Sequence, residues 1–162
     1  MPEMTGRQRM EAVLSGRVPD KVPHFELVFQ MPDEEFGRPW PTREQMDAAT
    51  PKGTDAILEE YLDIWELIID RYDWASAAID HGYHGHGDGK LIGMAQKRFG
   101  DRVALYSFNG WGTYWMPSGG DMVDFAVMLF ERPQEAHEKA RAKCDSSIEA
   151  AKKQVDQGAD FI

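Results

Sequence analysis

Four short stretches built like β-strands alternate along the chain with amphipathic helical stretches, and this alternation narrows the fold more than any other feature. The first is "HFELVFQ" at 24–30, where Phe25, Leu27 and Phe29 alternate with His24, Glu26, Val28 and Gln30 in the period-2 pattern of a strand. The others are "ASAAI" at 75–79, "RVALYSFNG" at 102–110 and "ADFI" at 159–162. Between them, residues 55–70 carry Ile57, Leu58, Tyr61, Leu62, Trp65, Ile68 and Ile69 on one stripe, behind Thr54 as N-cap. Helices are also expected over 90–99, closed by Gly100, and over 121–130. Pro133 opens a long helix with Ala136, Ala140, Cys144, Ile148, Ala151 and Val155 on one stripe, stopped by Gly158. The pattern predicts an α/β fold with about four parallel strands and intervening helices. The fourth strand starts as the sequence stops, so the sheet is expected to be half of a larger barrel or to be completed by another chain.

Composition removes several function classes. Among 162 residues, 28 Asp and Glu outnumber 18 Lys and Arg, for a formal charge of −10. Nucleic acids and anionic membrane surfaces are therefore not expected partners, because phosphate binding needs a basic face. The single cysteine leaves no internal disulfide and no multi-cysteine zinc site. No window approaches the roughly 18 continuous apolar residues of a membrane span, and the charged opening residues do not form a secretory signal. The expected location is the cytoplasm.

The opening "TGRQRMEAVLSGRVPDKVPHFE" resembles the start of the uroporphyrinogen decarboxylase family. There a helix of the type T-x-R-E-R leads to a P-D-R-V-P turn and the first barrel strand. Thr5, Arg7, Gln8 and Arg9 hold the helix positions, and Pro19, Asp20, Lys21, Val22 and Pro23 hold the turn. The far end, a long helix followed by Gly158, Ala159 and Asp160, is similar to the family's helix and G-A-D segment. The resemblance implies a (β/α)8 TIM barrel, of which residues 1–162 supply the N-terminal half while the C-terminal half is absent. The family includes tetrapyrrole decarboxylases and corrinoid-dependent methyltransferases. After the first strand the decarboxylases carry an arginine-containing loop for substrate carboxylates, whereas this chain has "FQMPDEEFGRPW". Asp33, Glu34 and Glu35 would repel a polycarboxylate there. The methyltransferase branch is therefore favoured, with a corrinoid and a small methylated substrate. The zinc ligands of that branch lie in the missing half, so this chain alone is expected to be inactive. Its expected partners are a corrinoid protein, and a second half-barrel subunit or another copy of itself. The alternatives are a decarboxylase of a tetrapyrrole or related acid, and a non-catalytic half-barrel that pairs with another subunit.

In such a barrel, chemistry sits at the carboxyl ends of the strands. Alternation then sets Glu26 and Gln30 toward the interior, with Gln30, Asp80 and Asn109 converging at the mouth. By the resemblance, Asp80 is a candidate carboxylate that orients or protonates substrate; otherwise it ends a strand and caps a turn. The stretch that follows, "DHGYHGHGDG", offers His81, His84 and His86 as metal ligands. His84 is alternatively a proton-handling or substrate-contacting group. The third reading is a solvated loop, because its glycines make ordering costly. Trp111 and Trp115, in "NGWGTYWMPSGG", either wall an apolar substrate pocket or form a lid or dimer contact. Cys144 is expected in the core and His137 on the surface. The acidic run Asp55, Glu59, Glu60, Asp63, Glu66 and Asp70 reads as a solvated helix face.

Overall fold

Local capping chemistry starts the first helix. In the computed structural model, which describes residues 3–79, 90–108, 112 and 116–162, the Thr5 hydroxyl accepts from the Gln8 backbone N–H and the Gln8 side chain accepts from the Thr5 N–H. This box opens α1 (Gly6–Leu14), and Gly16, at φ 72°, turns the chain away after it. The same box, Thr42 with Gln45, opens α3 (Arg43–Ala48). Between them lies α2 (Pro32–Phe36), a single short helix with proline at its start and Asp33, Glu34 and Glu35 in its first turn.

The chain forms two compact units, Met1–Phe108 with Gln154–Ile162, and Asn109–Lys153. The first is organised by α4 (Pro51–Tyr72), whose Leu58, Tyr61, Leu62, Trp65, Ile68 and Ile69 are buried along one face. This helix begins a turn earlier than its stripe predicts, because Thr50 caps it and Pro51 takes the first helical position. Behind it lie β1 (Ser76–Ile79) and β2 (Ala104–Ser107), joined through α5 (Lys90–Phe99). The two strands pair in parallel, from Ser76 opposite Ala104 to Ile79 opposite Ser107. Every residue of β1 is buried, as a parallel strand covered on both faces should be. The core joins Trp65, Ile68, Ile79, Leu91, Phe99 and Leu105 across these elements.

The expected four-strand half of a (β/α)8 barrel is not what forms; among the described residues the chain is dominated by helix and has only two short strands. Residues 24–30 show why. Among the described residues, their one backbone hydrogen bond toward the sheet is the His24 carbonyl accepting from the N–H of Ala75, just before β1, at 2.9 Å. Phe25 meets Phe161, Leu27 is 47% exposed, and Phe29 packs against Phe36, Tyr72 and Trp74. The three alternating residues thus have no common buried face, and alternation without a ladder does not make a strand. The "ADFI" stretch contributes a single parallel bridge, Phe161 to Tyr106.

The second unit holds α6 (Asp121–Glu131) and most of α7 (Pro133–Asp156). Within it, Glu135 joins Arg132 and Lys139. Cys144 is exposed on α7 rather than in a core. Half of its stripe, Ala136, Ala140 and Ala151, is alanine, which offers little apolar area to compel burial. His137 is exposed, as expected. No helix of the described residues is long and apolar enough to cross a membrane.

Candidate functional site

The parallel register fixes where chemistry can gather. Ile79 and Ser107 are partners at the carboxyl ends of β1 and β2, so both strands end at one edge of the sheet. That edge is where α/β proteins bind ligands. Ser107 is fully buried there, and its hydroxyl has no hydrogen-bond partner among the described residues. Its backbone N–H donates to the Phe161 carbonyl at 3.1 Å. Alternation along β2 puts Ser107 on the same side as Leu105, but only its burial marks the hydroxyl as a polar group short of a partner among the described residues.

Most of the sequence-predicted site residues lie outside the described residues: Asp80, His81, His84, His86, Asn109, Trp111 and Trp115. Glu26 and Gln30 are described. Both are exposed on the irregular segment before α2, and no strand orders them by alternation. Among the described residues no group of three His, Cys, Asp or Glu side chains is placed to hold a metal.

Two cavities lie by α1 and the opposite, amino edge of the sheet. One, of about 370 Å³, is lined by Thr5, Arg9, Asp70, Asp73, Trp74 and Arg102 among others. Its cations are already matched: Arg102 pairs with Asp70, and Arg9 lies 3.8 Å from Asp73. The other, of about 830 Å³, runs along Glu3, Gln8, Glu11, Arg17 and Asp20. Arg9, 2% exposed, donates to both Asp20 oxygens at 2.7 and 3.1 Å. That hydrogen bonding, with backbone donation from Met4 and Lys21, holds the Asp20 carboxyl well below the usual carboxylate range. This edge is an ion-paired seam, and its geometry is structural.

A second charge system joins α4 to α5. Lys90 bonds Asp55, Arg98 bonds Glu59 and Asp63 at 2.7 and 2.6 Å, and Arg102 just after α5 bonds Glu66 and Asp70. Arg38 reaches Asp63 from the other side at 3.3 Å. The hydrogen bond from Arg98, and then that from Arg38, lowers the pKa of Asp63. Sequence reading took this acidic face as solvated. The missed signal is the spacing of Glu59, Asp63, Glu66 and Asp70 against Arg98 and Arg102, a match between helices laid side by side.

The segment with Asp33 to Glu35 also holds its cations closed. Arg71 donates to Glu35 at 3.1 Å, and Arg38 is engaged by Asp63. No protein-family model, no curated protein and no solved structure matches the chain.

Proposed function

We propose that the chain acts as a uroporphyrinogen decarboxylase-like protein of the methyltransferase type, handling a small methylated substrate together with a corrinoid. The observation that carries the reading is the Arg7–Asp160 pair: the opening segment and the Gly-Ala-Asp segment, which bear the resemblance, meet in it. Arg9 with Asp20 ties the two halves of the opening segment in the same way. The in-register ends of β1 and β2 give further support, since the stretches richest in histidine, aspartate and tryptophan follow from them. Arg38 and Arg71 are occupied by carboxylates, which favours a methyl donor over a polycarboxylate.

In this reading Asp80 and His84 orient substrate and move protons, and Asn109, Trp111 and Trp115 bound the substrate. A corrinoid would supply the methyl-transfer chemistry, and zinc would activate the methyl acceptor. Native mass spectrometry of the protein purified gently from its source cells tests the proposal. The expected result is an assembly with a second polypeptide and bound cobalt, whose methyl transfer slows at least tenfold with Asp80→Asn. Copies of this chain alone, free of cobalt and of any companion, would overturn it. An assembly that releases carbon dioxide from uroporphyrinogen would overturn it in favour of the decarboxylase.

A further inference from the structure

Helix α6 turns its apolar side outward. Its sequence is "DMVDFAVMLFE", and only Met128 is buried. Val123 and Phe130 are 67% and 88% exposed, and Met122, Val127 and Leu129 are each at least 40% exposed. At 3.6 residues per turn these side chains and Ala126 fall on one continuous stripe. Together they present on the order of 400 Å² of apolar surface, the scale of patches that mark interaction sites.

The border of the stripe carries the argument about what covers it. Asp124 and Glu131, two turns apart, lie side by side along the Val127 border, and both are exposed. The helix contains no basic residue, and neither carboxylate has an ion pair among the described residues. The next lysine or arginine residues along the sequence, Arg132 and Lys139, are bound to Glu135. A second copy laid antiparallel on this stripe would set Asp124 against Glu131, like against like. A parallel copy would leave both carboxylates facing the apolar border of Met122 and Leu129. Either arrangement disfavours self-pairing.

We propose that α6 is a docking face for a partner protein that presents an apolar helix bordered by lysine or arginine, in the helix-in-groove manner. The inference does not depend on the function proposed above. The test uses two synthetic helical peptides with the same leucine stripe, one bordered by lysines and the other by glutamates. Fluorescence anisotropy should show the lysine-bordered peptide binding at least tenfold more tightly. Phe130→Ser, a substitution on the surface, should abolish most of that binding. Asp124→Lys with Glu131→Lys should reverse the preference between the peptides. Equal binding of both peptides, or binding unchanged by Phe130→Ser with the variant's circular dichroism intact, would overturn the proposal. Sedimentation showing a dimer of the chain that Phe130→Ser dissociates would also overturn it, because a second copy would then be the occupant.

Discussion

Arg7 and Asp160, 153 residues apart, close the first unit on itself: the guanidinium donates to both carboxylate oxygens, one of them at 2.9 Å. The same Asp160 oxygen accepts the Leu105 backbone N–H at 2.8 Å, and Arg7 also donates to the Gly100 carbonyl at 2.8 Å. One carboxylate therefore holds α1, β2 and the chain after α7 together. Asp160→Ala removes the acceptor from three N–H donors, two on Arg7 and one on Leu105, and should cost about 1–2 kcal/mol. The measurement is urea denaturation, with amide exchange at Leu105 as the local readout. Unchanged stability and unchanged protection of Leu105 would mean that water replaces the carboxylate at no cost. Arg7→Lys should recover only part of the loss, since an ammonium cannot make the paired donation.

Gly6 and Gly93 should respond to alanine in opposite directions. A Cβ on Gly6 would meet the Ala75 Cα at 2.7 Å and the carbonyl oxygens of Arg102 and Trp74 at 3.1 and 3.2 Å. These are backbone atoms of the turns leading into both strands, so α1 must move away from the sheet. Gly6→Ala should destabilise by about 1–3 kcal/mol. Gly93 lies inside α5 with nothing within 4 Å of its Cβ position among the described residues. Gly93→Ala should stabilise by about 0.5–1 kcal/mol, through helix propensity alone. Thermal melts of the two variants decide the matter, and equal shifts would contradict the close approach at Gly6.

The contrast between what was legible and what was not follows the range of each interaction. Thr5 with Gln8 and Thr42 with Gln45 act over three residues, and both helix starts are readable from the sequence. The apolar face of α4 and the short runs that become β1 and β2 are likewise local patterns. Pro32 followed by three acidic residues is likewise a local helix-start signal for α2. Residues 24–30 misled because a strand is a property of its partners: Phe29 found the rings of Tyr72 and Trp74 instead of a ladder. Gln30 and Glu26 were placed by that alternation, so their assigned positions depended on the same missing ladder. Cys144 was placed in a core by the period of its helix, and periodicity does not supply a covering surface.

Acid should weaken the α1 seam in a defined direction. The folded-state pKa of Asp20 lies below its unfolded value, chiefly because Arg9 donates to it. Its contribution is therefore fully present above the ordinary aspartate value of about 3.9 and is lost as pH falls toward the folded value. Urea midpoints measured across that range should decline in the wild type below about pH 4. Asp20→Asn should be less stable near neutrality and should decline more shallowly in acid. Parallel acid limbs for the two proteins would show that Asp20 is not depressed in the folded state.

The α4–α5 ladder should make stability depend on salt. Without their cations, the carboxylates of Glu59, Asp63, Glu66 and Asp70 repel one another along a single helix face. Arg98 links Glu59 to Asp63 and is itself mostly covered, at 27% exposure, whereas Asp63 remains 44% exposed. The partial exposure limits the strength of the pair. A double-mutant cycle on Arg98→Gln and Asp63→Asn should give a coupling of about 0.5–1 kcal/mol at low ionic strength. It should shrink by roughly half or more in 1 M salt, where the screening length is about 3 Å. Each residue has two partners, but Arg98→Gln alone should cost more than Asp63→Asn, because the arginine is the more covered of the two. A coupling of the same size at both salt concentrations would mean that α4 and α5 are joined by packing at this point and that the charges there are incidental.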